Sequence, residues 1–117
     1  MTFTNDKPIY LQISDRLCDE ILAGTYQDDA RIPSVREYGV LLQVNTNTAM
    51  KAYEELARDE IIYNRRGLGY FVTPGAKQTI MDRRKQEFIE QHLPELFRNM
   101  KLLGIDIKDV VEAWNNM

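Results

Sequence analysis

Two helix-start signals set close together constrain this chain more than any other feature. Ser34-Val35-Arg36-Glu37 is a capping box, in which the Ser34 hydroxyl and the Glu37 carboxylate satisfy amide donors that a helix start leaves orphaned. Asn45 supplies a second such signal, since its short amide side chain suits an N-cap. The helix opened by Ser34 therefore has room only for residues 35–42, and the next runs from Asn45 to about residue 59. Two short helices joined by a turn of three or four residues predict a helix-turn-helix. With 117 residues there is material for one core of modest size. That excludes a two-domain enzyme, a large ligand-sensing domain and a repeat array.

The flanking segments extend the pattern. Pro8 suits the first turn of a helix, where its missing N–H is not needed. Ile9, Ile13, Leu17 and Ile21 then recur every fourth residue, Asp15, Arg16, Asp19 and Glu20 supply a wet side, and Gly24 is a left-handed stop. A polar loop covers residues 25–32. Beyond the helix pair, residues 61–63 and 70–72 read as strands flanking Arg65-Arg66-Gly67-Leu68-Gly69, a β-hairpin with a basic tip, and Thr73-Pro74-Gly75 closes the unit. The expected fold class is mainly α with a small β-hairpin: a winged helix-turn-helix over residues 1–75, then a helical region over residues 76–117. In a winged helix the second helix of the pair enters the major groove, and the hairpin touches the backbone or minor groove.

Net charge is −3 and the pI near 5.2, which alone argues against a nucleic-acid partner. The distribution tempers this, because no acid lies between residues 61 and 81, where Arg65, Arg66 and Lys77 occur, and none from Asn45 to Tyr53. At about 100° per residue, Ala49, Ala52, Tyr53 and Leu56 share the inward face of the third helix, so Asn47 and Lys51 point away from it. Asparagine reads adenine through two hydrogen bonds, lysine reaches guanine or phosphate, and helix-start N–H groups favour phosphate oxygens. Arginine suits phosphate and narrow-groove contacts, and Gly67 lets the backbone approach. In isolation such a face is merely solvated; beside a basic hairpin it points to double-stranded DNA.

Five stretches, in order, carry a resemblance: Pro8-Ile9-Tyr10-Leu11-Gln12-Ile13, Ile32-Pro33-Ser34-Val35-Arg36-Glu37, Val44-Asn45-Thr46-Asn47-Thr48, Ala52-Tyr53-Glu54-Glu55-Leu56 and Gly67-Leu68-Gly69-Tyr70-Phe71-Val72. Over residues 8–72 the chain resembles the GntR family of bacterial transcription regulators, and its short tail is similar to the YtrA-type subfamily. The resemblance implies a homodimer paired through C-terminal helices and a palindromic operator; a repressor is the leading reading, with an activator left open. It also implies DNA contacts from Arg36, Thr46, Asn47, Thr48, Lys51, Arg66 and Gly67; Asn45 and Arg65 stand beside these and complete the candidate interface. Asp29, Gln43 and Glu60 stand where the family usually has glycine. If those positions keep φ > 0, each costs on the order of 1 kcal/mol, Asp least, and the domain is marginal without dimerisation. Tyr38-Gly39 replaces the usual Leu-Ala.

In the tail, Ile89, Leu93, Leu96, Met100 and Leu103 form a heptad-like seam, with a kink expected near Leu93 because of Pro94, and Gly104 closes that helix. Ile107, Val110, Val111 and Trp114 form a last stripe. A second copy of the chain is the simplest partner for both; a helical hairpin packed on the winged helix is the alternative. Cys18 reads as a small packed residue, and its being the single cysteine predicts a reducing cytosol. His92 alone cannot make a three-histidine metal site, and no nucleophile–base pair is visible, so neither cofactor, metal nor enzymatic activity is expected. No membrane span or signal peptide is expected either. The rival to a DNA-binding regulator is a winged-helix protein-interaction module, consistent with the acidic pI. A small-molecule effector stays open; its pocket would be small and at the dimer interface.

Overall fold

The computed structural model describes residues 2–117. Its elements are α1 (Ile9–Leu22), α2 (Val35–Leu42), α3 (Thr46–Arg58), β1 (Ile62–Arg65), β2 (Gly69–Val72), α4 (Ala76–Glu87), a π-helical turn (Phe88–His92), α5 (Leu93–Leu103) and α6 (Ile107–Asn115). The chain divides into two compact units, one ending at Met81 and one spanning Asp82–Met117.

In the first unit, Pro8 is the N-cap of α1 and not its first helical residue; its carbonyl accepts from the Leu11 and Gln12 N–H groups at 3.1 and 3.2 Å. Ile13, Leu17 and Ile21 are buried, while Ile9, a turn earlier, is exposed. Gly24, at φ +84°, turns the chain so that the Thr25 N–H donates back to the Glu20 carbonyl at 2.9 Å. The capping box forms as expected: the Glu37 N–H donates to Ser34 Oγ at 3.1 Å, and the Ser34 N–H to Glu37 Oε1 at 3.0 Å. Ser14, Ala49 and Ala52 are all buried, and these small residues let α1 and α3 approach closely, with Ser14 Oγ 3.4 Å from the Ala52 carbonyl.

Two tyrosines bind the three helices into one core with Ile13, Leu17, Ile32, Ile62 and Val72. Tyr38 packs against Tyr53, ring centroids 6.0 Å apart, and its hydroxyl donates to Glu20 on α1 at 2.8 Å. Tyr53 donates to the Pro33 carbonyl at 2.6 Å and meets the edge of Tyr70 on β2 at 5.1 Å. A buried phenol keeps its place in a core only by finding an acceptor, and both have one.

The hairpin pairs Ile62 with Val72, Tyr63 with Phe71, Asn64 with Tyr70 and Arg65 with Gly69. The strands therefore begin at Ile62, one residue later than the expected 61, and pair as far as Arg65 and Gly69, which shortens the loop and moves Arg65 from the tip into β1. The end of the expected polar loop is also ordered by pairing. Arg31 bridges to Phe71, the Ile32 N–H donates to the Tyr70 carbonyl at 3.0 Å, and the Val72 N–H to the Ala30 carbonyl at 3.0 Å. That segment satisfies the outer edge of β2, which a bare two-stranded ribbon would leave open. Ala76 and Ile80 join this core, so it continues beyond the Thr73-Pro74-Gly75 stop into the start of α4.

In the second unit the helical register breaks as a π-helical turn just before Leu93. Pro94 is the second residue of α5, and it follows directly on that wider turn, in which the Leu93 N–H donates to the Phe88 carbonyl, so the break in register sits where the proline has no N–H to give. Leu93, Leu96, Met100 and Leu103 thus share one regular helix, with Ile89 inside the π-helical turn. Gly104 ends α5 at φ +69°, and the Asp106 N–H donates to the Asp109 carboxylate at 3.1 Å to start α6. No helix among the described residues is long and apolar enough to cross a membrane.

Candidate nucleic-acid interface

The start of α3 is built by the residues that cap it. Asn45 Oδ1 accepts the Asn47 N–H at 2.8 Å, which fixes the first turn of the helix. Ala49, Ala52, Tyr53 and Leu56 are buried, and Thr46, Asn47, Met50 and Lys51 are exposed, with Thr48 half-buried at the edge. The turn before α3 passes close to α2: a Cβ on Gly39 would lie 3.4 Å from the Val44 carbonyl oxygen and 3.8 Å from Ala49 Cβ. Both distances are ordinary van der Waals contact, so an alanine would fit here, and the neighbouring Tyr38 packs into the core.

Arg36 is exposed in the first turn of α2, beside Glu37. The Glu37 carboxyl is held below the ordinary carboxylate range, first by the Ser34 N–H and then by the Ser34 hydroxyl, so it stays charged as a cap. Arg66 and Gly67 lie at the exposed tip of the hairpin, where Gly67 adopts φ +78° and the Leu68 N–H closes the loop onto the Arg65 carbonyl at 2.8 Å. Arg65 is exposed on its strand, its guanidinium 5.3 Å from the Phe71 ring centroid, and Phe71 in turn stacks on Tyr63 at 5.7 Å. Every expected DNA-facing residue thus lies in the first unit, on α2, at the start of α3 or on the hairpin.

The sequence pattern described as bacterial regulatory proteins, gntR family, matches residues 9–72. The chain belongs to the GntR family. The HTH-type transcriptional repressor YtrA of Bacillus subtilis is 33% identical over 105 residues, 90% of this chain and 80% of YtrA. A crystal structure of a GntR-family transcriptional regulator from Bacteroides thetaiotaomicron superposes with a TM-score of 0.83 at 48% identity, covering 92% of this chain and 94% of that one. The DNA-binding domain of AraR, solved in complex with operator ORX1, superposes with a TM-score of 0.58 at 26% identity over 62% of this chain and 93% of that domain. A GntR-family winged helix is a DNA-binding transcription regulator, and the first unit of this chain is one.

Asp29, Gln43 and Glu60, where the resemblance leads one to expect glycine, all keep left-handed backbone, with φ of 61°, 57° and 60°. Two residues near this surface carry no signal in the sequence reading. Arg31, exposed, sits between the start of α2 and the hairpin: its guanidinium is 4.0 Å from Glu37 and would meet a Cβ on Gly69 at 3.2 Å, so Gly69 makes room for it. Tyr10, on α1, lies under Lys51, whose Nζ is 4.1 Å from the ring centroid.

Proposed function

We propose that the chain represses transcription as a homodimer on a palindromic operator, with α3 in the major groove and the hairpin on the adjacent backbone or minor groove. Asn47 and Thr46 read base edges; Lys51, Arg36, Arg65 and Arg66 contact phosphate; Thr48, Asn45 and Gly67 set the close approach of helix and hairpin. The observation that carries this reading is the start of α3, a capped helix end presenting exposed Asn47 and Lys51 with no acid from Asn45 to Tyr53. Helix-start N–H groups and an exposed asparagine are the groups that phosphate and adenine edges accept.

Residues 76–117 supply the dimer contact in this reading. Ile89, Leu96, Leu103, Ile107, Val111 and Trp114 are exposed within the single chain, Leu93 and Val110 are half-buried, and Met100 is buried. Apolar side chains at coiled-coil spacing in water are what a second copy would cover. Two recognition helices would then read half-sites about one helical turn, roughly 34 Å, apart. A cytoplasmic regulator without a cofactor fits this assignment, and a small-molecule effector is not required by it.

The test is fluorescence anisotropy against the chain's own upstream intergenic DNA, with a scrambled duplex alongside and salt varied. Preference for the native fragment with a steep salt slope is expected. Removing Asn47 as Asn47→Ala should erase the preference while keeping the slope, because asparagine contributes base readout and no counterion release. Absence of binding to either duplex at low salt would overturn the proposal in favour of a protein partner.

A further inference from the structure

We propose that Tyr10 is a positioning residue for DNA binding: its ring holds the Lys51 ammonium on the DNA-facing side of α3, ordered before DNA arrives. The inference rests on the reading of Lys51 as a phosphate contact. Lys51 is the one cation in the first turns of α3, from Thr46 to Tyr53. Its stem is long and exposed, and ordering such a side chain on phosphate carries an entropic cost near the upper end of the side-chain range. In this structure it is already restrained. Nζ lies 4.1 Å from the centroid of Tyr10, a distance at which the ring's negative face attracts an ammonium.

The placement follows from the way α1 and α3 cross. Ser14, Ala49 and Ala52 leave no bulk between the helices, and Ser14 Oγ sits 3.1 Å from the Tyr10 carbonyl as well as 3.4 Å from that of Ala52. This brings the first turn of α1 beside the exposed side of α3, with Tyr10 half-buried against the core and one face of its ring left for the lysine. The stack uses the ammonium's charge but none of its three donors, which stay available to phosphate oxygens. Pre-ordering a contact group raises affinity by lowering the cost of binding.

The full chain would be titrated with a mixed-sequence duplex, with salt varied, as wild type, Tyr10→Phe, Tyr10→Leu, Lys51→Ala and Tyr10→Leu/Lys51→Ala. Tyr10→Leu should bind about threefold more weakly per subunit with the salt slope unchanged, since the phosphate contact still forms. Tyr10→Phe, which keeps the ring, should match wild type. Lys51→Ala should weaken binding and lower the slope by about 0.9 per subunit, and adding Tyr10→Leu to it should change nothing more. Full additivity in the double variant would assign Tyr10 a purely structural role and overturn the proposal. A loss in Tyr10→Phe equal to that in Tyr10→Leu would overturn it differently, by making the hydroxyl the working group. Tighter binding by Tyr10→Leu would make the stack a brake. An unchanged Lys51→Ala would remove Lys51 from the interface, a failure distinguishable from the others because it appears in the single variant.

Discussion

At Gln43, Glu60 and Asp29 the backbone is left-handed, a conformation that costs a side-chain-bearing residue about 1 kcal/mol or more. The three do not share the same compensation. Asp29 Oδ1 accepts the Tyr63 hydroxyl at 2.8 Å, and its N–H donates to the Val72 carbonyl at 2.8 Å. Gln43 and Glu60 have backbone bonds alone, to the carbonyls of Val40 and Ala57. Gln43→Gly and Glu60→Gly should therefore each raise stability by about 0.5 kcal/mol after glycine's larger unfolded-state entropy is set against the relieved strain. Asp29→Gly should gain nothing, because the tyrosine bond goes with the carboxylate. Urea unfolding midpoints of the three variants check this; an equal gain at all three sites would show that the Asp29–Tyr63 bond contributes nothing.

At the scale of elements, α2 depends on how it starts and on what it leans against. Ser34→Ala should cost about 1 kcal/mol through the lost cap. Glu37 titrates below its ordinary value in the folded chain, so its contribution is present at neutral pH and is lost as pH falls through that lowered pKa. Glu37→Gln keeps the reciprocal bond without the charge. It should be less stable than wild type at about pH 7 and approach it at about pH 3, because it lacks this part of the acid sensitivity, measured as urea midpoints at the two pH values. Tyr38 and Tyr53 shift in the opposite direction. Burial, and for Tyr38 next the bond to Glu20, raises both phenols above their ordinary 10.0. Their stabilisation is complete below that value and is lost as pH rises beyond it, so unfolding midpoints should fall above about pH 10. Tyr38→Phe should make that fall shallower. The caps were legible in the sequence because Ser34, Glu37 and Asn45 act within three residues of themselves, and the helix-turn-helix bounds followed from them. Arg65 was placed at the tip because strand register depends on cross-strand partners that spacing does not reveal. The Lys51–Tyr10 stack joins residues on two helices, and Arg31 took its place only once the chain before α2 paired with β2; neither is encoded in local pattern. At Pro94 the sequence indicated a break but not its form.

For the whole molecule, the exposed tail is the decisive surface. Trp114 is 76% exposed and Leu103 70% exposed in the single chain. If a second copy covers them, the single tryptophan should shift to shorter wavelength as the protein is concentrated, and Leu103→Asp should convert a dimer to a monomer at micromolar concentration with helical content retained. Wild-type monomer at that concentration would refute the pairing. The same logic sets the smallest winged-helix fragment. Cutting after Gly75 would remove Ala76 and Ile80 from the core, whereas cutting after Met81 keeps both, so the longer fragment should melt higher than the shorter and, lacking a partner, below the full chain. The left-handed residues have one more consequence, and it concerns dosage. None of them is among the side chains assigned to DNA, yet about half a kilocalorie at Gln43 or Glu60 changes how many copies stay folded and escape proteolysis. Substitution there would retune how much of its DNA site a cell keeps occupied while leaving the sequence that the protein reads untouched.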